Sequence, residues 1–346
     1  MKLAFQIFTG FALGFWPIAL LTSVMAFDSP GSESESKTYL LVFLVVFYPL
    51  LFGLSFWFLD MKFWFLEANY FFIATLVIPL VGAGVLGYPG KFLNSLKGIK
   101  NSGYFVHESE VYFNGSKIEA DPKSFEMNFS KFNIVAKDKS NIFLNGKKFE
   151  GVDRDSFKIL DKEDSTYFVD KQSVFFNRTK LEGADPSSFT KVLTKDSKST
   201  QFYKDKNAVY LFGKKIQDAE ASSFIAIGSG YSKDQKHAFY YETKLAEMDP
   251  HSFESLGEDT GCGKDQKLVV CGSRIVLGAD PSSFVILERG YAKDAKSAFH
   301  LTGDSGPVKL VDVVSTSFKV TSYDAQTDSD ANDGNHFYMA GILKKK

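Results

Sequence analysis

Apolar residues dominate the first 90 positions and are then replaced by a regular alternation of aromatic and polar residues. Three long runs carry no charge: LAFQIFTGFALGFWPIALLTSVMAF (3–27), TYLLVFLVVFYPLLFGLSFWFL (38–59) and YFFIATLVIPLVGAGVLGY (70–88). Each is long enough to cross a hydrocarbon layer of about 30 Å as a helix. The pattern predicts a membrane domain over 1–88 with the lipid bilayer as its partner, and Trp16, Trp57, Trp64, Tyr39, Tyr70 and Tyr88 as candidate interfacial aromatics. Pro17, Pro49 and Pro79 fall inside the runs and are expected to kink helices rather than end them. The first run also has signal-peptide features, Lys2 before it and Val24-Met25-Ala26 near its end, but it is longer than a usual signal core and reads as an uncleaved helix.

From residue 101 the polar and apolar positions repeat. A phenylalanine after serine returns at 125, 157, 189, 224, 253, 284 and 318, at spacings of 32, 32, 35, 29, 31 and 34. An aspartate, usually after lysine, returns at 138, 170, 205, 234, 265 and 294, followed by a short apolar run. In YSKDQKHAFYY (231–241) this reads as two strands with a two-residue turn at Gln235-Lys236, so that Asp234 opposes His237. The Asp-Pro of "DPSSF" suits a cap and first position of one helical or 3₁₀ turn, and a further strand follows. Unpatterned on the Lys-Asp signal, EVYFNG (110–115) and NHFYMAG (335–341) open and close the array.

Both faces of these hairpins are apolar, so both must be covered. One unit of about 32 residues cannot do that alone, and neighbours must stack. The prediction is N-terminal transmembrane helices (1–88), a basic connector (89–100) and an all-β repeat domain (101–346) of seven to eight stacked hairpin units. A propeller-like ring is the alternative, although the period is short for a four-stranded blade.

The hairpin register assigns the two cysteines a place. Cys262 lies three residues before Asp265 and Cys271 six after it, positions that face each other across the turn. Other units put Tyr104/Phe113, Val135/Leu144, Tyr167/Phe176, Phe202/Leu211, Tyr231/Tyr240 and Tyr291/His300 there. Facing Cβ atoms are close enough for a disulfide after small adjustment. Two reduced thiols, or a metal or redox site, are the alternatives. The histidines at 107, 237, 251, 300 and 336 are scattered among units, and Cys-x-x-Cys is absent. A disulfide implies an oxidising compartment. That favours an extracytoplasmic repeat domain. The lysine distribution argues the other way, with Lys37, Lys91, Lys97 and Lys100 on the repeat side and only Lys2 and Lys62 opposite.

Net charge is −1, and no Lys/Arg-rich run marks a nucleic-acid partner. The sequence contains no phosphate loop, dinucleotide fingerprint, nucleophile elbow or zinc-protease helix, so no catalytic, cofactor or metal residue is assigned and the chain is not read as an enzyme. The recurring aspartates suit turns and caps. DSDANDG (328–334) has alternating acidic residues, but Gly334 is one place late and Met339 stands where a calcium loop needs Glu, so it reads as a turn insertion in the last hairpin.

The run Tyr-x-Lys-Asp-x-x-x-(Val/Ala)-(Tyr/Phe) with Gly-Ala-Asp-Pro-x-Ser-Phe after it, nearest in FYKDKNAVYLFG (202–213), resembles the DKNYVY family of bacterial repeat proteins over about 104–341. The resemblance implies an envelope-associated repeat protein and no catalytic residues. The expectation is a membrane-anchored binding or structural module with a protein or glycan ligand on its repeat surface. The alternative is a sensor or transport-associated protein whose repeats gate the helices.

Overall fold

The computed structural model describes residues 2–23, 25, 36–128, 135–161, 166–257, 260–301 and 306–344. Val24 and most of the acidic loop before the second apolar run lie outside the described residues. The chain forms two compact parts, Met1–Arg154 and Asp155–Lys346.

The first part opens with helices α1 (Lys2–Gly14), α2 (Trp16–Thr22), α3 (Ser36–Phe58) and α4 (Ala68–Val85). Three stretches, Lys2–Thr22, Thr38–Phe58 and Ala68–Val85, are long and apolar enough to cross a membrane. The prolines behave differently from one another. Pro17 lies at the start of α2, just past the break after α1, whereas α3 and α4 run through Pro49 and Pro79. At the break the Tyr48 hydroxyl donates to the Ala12 carbonyl at 2.5 Å, and the Trp16 indole donates to the Val46 carbonyl at 2.8 Å. These bonds supply partners where helix geometry lapses, as an apolar medium requires.

The ends of the helices sort into two groups. Gln6 donates to the Lys62 carbonyl at 2.7 Å, so the start of α1 meets the α3–α4 turn. At the other end Ser23 and Tyr88 hydroxyls are bonded at 2.5 Å, and Tyr39, Val42, Val46, Ala83 and Tyr88 form one buried cluster. Residues 89–100, read from sequence as a plain connector, include most of a fifth helix, α5 (Tyr88–Leu96). Two antiparallel sheets complete this part.

Among the described residues the repeats form eight small sheets, one of three strands and seven of four, each a meander in chain order, and none closes into a barrel. The two-residue turn occurs as the pattern predicts: the Asp234 N–H donates to the His237 carbonyl at 2.9 Å. All seven opposed pairs named above, the cysteines included, are in register. The strand after Ser-Phe is the first of each four, and a second turn after the hairpin, of two residues except between His300 and Val308, adds the last. Asn145-Gly146, both at positive φ, is one such turn and joins Leu144 to Lys147. Asn-Gly in that conformation matches strand twist, which is why a hairpin becomes a meander.

In the second part successive sheets bury a shared apolar layer. Phe189 packs its ring against Tyr167 of one sheet and Tyr203 and Tyr210 of the next, at centroid distances of 5.6, 5.8 and 5.2 Å. Phe224 does the same between Phe202 and Phe239, and Phe318 between Tyr291 and Tyr338. The recurrent Ser-Phe thus supplies the ring that fills the gap between neighbouring sheets.

Candidate functional site

The recurring polar residues are the obvious candidates for chemistry, and the structure places them in a bonding circuit. Asp205 is buried. One carboxylate oxygen accepts the N–H groups of Asn207 and Ala208, both at 2.7 Å, closing its own turn. The other accepts the N–H of Asp185, at 2.8 Å, from the Asp-Pro turn of the same unit. Asp185 in turn accepts from Ser188 Oγ at 2.9 Å, and Ser188 Oγ accepts the N–H of Lys206 at 3.0 Å. The same two-way role falls to Asp138, Asp234, Asp265 and Asp294. The Asp-Pro segment is a single hydrogen-bonded turn rather than a helix, with Ser188 N–H on the Asp185 carbonyl.

This geometry sets the charge state. At Asp138, Asp205 and Asp333 burial alone would push the carboxyl up, but the N–H groups aimed at it win. Asp138 and Asp205 are held below the usual carboxylate range, and Asp333 is held at about 2 by Val314, His336 and Asn335. At Asp205 the Tyr210 hydroxyl donates a fourth bond, at 3.0 Å, so all the carboxylate's acceptor sites are engaged within the fold.

The lysine before each aspartate has a different task. Lys204 reaches forward to the carbonyls of Ala221 and Phe224 (2.9 and 3.3 Å), Lys233 to Phe253 (2.8 Å), and Lys293 to Ser315 and Phe318 (3.4 and 3.1 Å). Lys204, Lys233 and Lys293 thus bond the Ser-Phe turn of the following unit and Lys264 bonds the Pro281 carbonyl at 3.0 Å, whereas Lys137 pairs with Glu126 of its own sheet and Val169 stands before Asp170. Burial holds Lys233 below the usual ammonium range. Where the lysine reaches forward, Lys-Asp is therefore a joint: Asp closes its own unit and Lys clasps the next. The sequence showed the pair but not the direction of either bond.

A second feature escapes a one-unit alignment. Position minus three holds tyrosine in alternate units, Tyr104, Tyr167, Tyr231 and Tyr291, and Val135, Phe202, Cys262 and Asp330 in those between. Each tyrosine hydroxyl reaches the next sheet. It accepts from the N–H of Gly146, Gly213 and Gly341 at 2.9, 2.8 and 2.9 Å, and from Tyr231 it approaches the Gly261 and Gly272 carbonyls at 2.8 and 2.9 Å. A Cβ on Gly213, at φ 76°, would stand 2.6 Å from the Phe176 ring, so close approach and left-handed backbone both call for glycine there. The units are thus built in pairs.

The cysteines belong to this scheme. Cys262 and Cys271 are joined by a disulfide with Cα atoms 4.0 Å apart. The Asp265–Leu268 pair is hydrogen-bonded, and so, four steps along, is Gly261–Gly272. Cys262–Cys271 is consequently a non-hydrogen-bonded pair, where facing side chains come closest. The Tyr231 hydroxyl covers the two glycine carbonyls beside it.

Residues 328–334 correct the sequence reading. They are not a turn insertion. Ser329–Asn332 is the second strand of the last sheet, and Asp333 takes the recurring turn position, its N–H donating to the His336 carbonyl at 3.2 Å. Asp328 pairs with Lys344, and Asp330 accepts from the Tyr291 hydroxyl at 2.7 Å. The closing run NHFYMAG was legible, but the missing lysine hid the turn aspartate before it: Asn332 stands where most other units have Lys.

The tips of the turns are exposed, including Lys171-Gln172, Lys206-Asn207, Gln235-Lys236, Gln266-Lys267 and Ala295-Lys296, as are last strands such as Lys214–Lys215 and Thr243–Lys244. Each of these tips carries a lysine.

Together these features define a β-meander repeat protein with N-terminal helices suited to a membrane. The DKNYY family model matches residues 135–274 and again residues 202–342, and the chain belongs to the DKNYY family, the repeat family that FYKDKNAVYLFG resembles, spelt without the valine. The match leaves the helices uncovered. No curated protein and no solved structure matches the chain.

Proposed function

We propose that this is a membrane-anchored repeat protein of the bacterial envelope whose β units serve as a binding or structural module outside the cytoplasm. The observation that carries the reading is the fate of the recurrent polar groups. Aspartate, serine, lysine and tyrosine are spent on joining strands and units, which leaves a rigid scaffold with exposed turn tips. Loops held on a rigid scaffold are where recognition residues are placed, and a protein or glycan ligand suits that edge. No catalytic activity is proposed. The Cys262–Cys271 disulfide supports the compartment, because such bonds persist where the milieu is oxidising.

The alternative, repeats that gate or sense for the helices, has one observation in its favour. Asn101 is buried and donates to the Tyr39 hydroxyl of α3 at 2.7 Å, while Asn94 of α5 donates to the Gly115 carbonyl of the first sheet at 2.9 Å. This ties that sheet to the helices. Against it, the membrane stretches carry no charge to mark an ion or substrate path.

Two measurements test the proposal. In intact cells a membrane-impermeant thiol reagent should label Cys262 and Cys271 only after reduction and unfolding; free thiols shielded solely by the inner membrane would refute the location. A chain lacking residues 1–100 should retain all partner binding, and loss of binding with the β units still folded would favour the gating alternative.

A further inference from the structure

Helix α5 (Tyr88–Leu96) wears its amphipathicity inside out. Its exposed stripe is apolar: Phe92, Leu93 and Leu96 are 48%, 55% and 69% exposed, and Pro89 lies on the same side. The spacing 89, 92, 93, 96 is one helical face. Its inward side is polar and bonded. Tyr88 is buried and bonded to Ser23. Asn94 donates to Asn101 Oδ1 at 2.8 Å and to the Gly115 carbonyl, and Asn101 donates to the Lys91 carbonyl at 3.0 Å. These bonds fix the roll of the helix, so the apolar stripe cannot turn inward.

Its position supplies the occupant. Gly87, at φ 70°, turns the chain straight from the end of α4 into α5. The helix therefore starts where a membrane-spanning segment leaves the hydrocarbon. Charge agrees. From Ala68 to His107 the sequence has no Asp or Glu, while Lys91, Lys97 and Lys100 all fall here. Lys97 and Lys100 are exposed, and the Lys100 ammonium lies 5.4 Å from the Phe105 ring centre. A helix with an outward apolar stripe and flanking lysines, continuous with a membrane span, matches an interfacial helix on an anionic surface.

We propose that α5 lies along the water–lipid boundary, with Phe92, Leu93 and Leu96 seated among the lipids and Lys97 and Lys100 holding the phosphates of anionic headgroups. The proposal rests on the reading that the three long helices span a bilayer. It adds a second membrane contact that sets the height and roll of the first sheet, because the Asn94–Gly115 bond carries the sheet on the same helix.

The test uses the full chain in vesicles of phosphatidylcholine mixed with phosphatidylglycerol. Leu93→Cys is labelled with an environment-sensitive fluorophore while the native cysteines stay closed as a disulfide. The expected result is strong quenching by shallow spin-labelled lipid and weak quenching by aqueous iodide. Stronger quenching by iodide overturns the proposal, and so does protection from both quenchers, which would mean that protein covers the stripe. Lys97→Gln with Lys100→Gln should lower the ratio of phosphatidylglycerol to phosphatidylcholine retained on extraction, by about fivefold per lysine. An unchanged ratio overturns the headgroup contact. Extraction of the chain from the vesicles by alkaline carbonate would reject the membrane-spanning reading itself, whereas a carbonate-resistant chain with a water-exposed label rejects the α5 proposal alone.

Discussion

The hydroxyl of Tyr167 accepts a hydrogen bond from the backbone N–H of Gly213, 46 residues later in the chain, at 2.8 Å. The bond crosses from one sheet to the next and ends at a turn glycine backed by the Phe176 ring. Its equivalents recur in alternate units, so the smallest structural repeat is two meanders rather than one.

Tyr167→Phe keeps the ring contacts but leaves the Gly213 amide without this acceptor. It should cost about 1.5 kcal/mol. Phe202→Tyr, one unit along, introduces a hydroxyl at a place that holds no such bond and should bring no gain. Denaturant unfolding of the purified chain, followed by tyrosine fluorescence, compares the two. Equal effects at both places would dissolve the two-unit pairing.

The disulfide closes a short loop, and its removal should cost about 2–3 kcal/mol by chain entropy. Cys262→Val with Cys271→Leu copies the Val135/Leu144 pair of another unit and should recover part of this through packing. Cys262→Ser with Cys271→Ser should recover less, because it puts hydroxyls into an apolar layer. Thermal unfolding with and without reductant ranks the variants. Only the parent should respond to reductant.

Asp138, Asp205 and Asp333 are held low in the folded chain. The unfolded chain, with aspartates near 3.9, therefore takes up protons first as pH falls. The stability these groups contribute is present above about pH 4 and is lost as pH falls through their lowered values, about 2 in the case of Asp333. Asp205→Asn should reduce the acid sensitivity, and Asp205→Ala should cost about 3 kcal/mol at neutral pH by orphaning three amides. Circular dichroism across pH 6 to about 2 reads both effects.

Gly53 of α3 faces α4 so closely that a Cβ would stand 1.8 Å from Thr75 Oγ1 and 3.3 Å from the Phe72 backbone. Small residues allow such approach between membrane helices. Gly53→Val should force the pair apart and cost about 2 kcal/mol or more. The melting temperature of the detergent-purified chain should fall, while Gly84→Ala, a position with open space around it, should leave it nearly unchanged.

Much of this was legible in the sequence. Charge-free length located the membrane stretches to within a few residues, and the Asp-x-x turn with its alternating strands set the register of every hairpin compared. The misses have physical causes. Asn332 in place of lysine concealed the second strand of the last unit, although Asp333 keeps the turn. The connector was read by charge, while Pro89 at its start and the bonds of Asn94 and Asn101 hold it as a helix. The alternation of tyrosine was present in the list of opposed pairs, but averaging the units erased it.

Local chemistry is what the sequence by itself determined. Helix length, turn type, strand alternation and the facing of Cys262 and Cys271 depend on residues only a few positions apart, and periodicity records them. Only the tertiary structure decided where long bonds end. Lys204 reaches Ala221 and Phe224, Tyr167 meets Gly213, and Asn94 holds Gly115, because stacked sheets and packed helices bring distant backbone into range. A backbone N–H or carbonyl looks the same at every residue, so no sequence pattern names the one that a side chain will find.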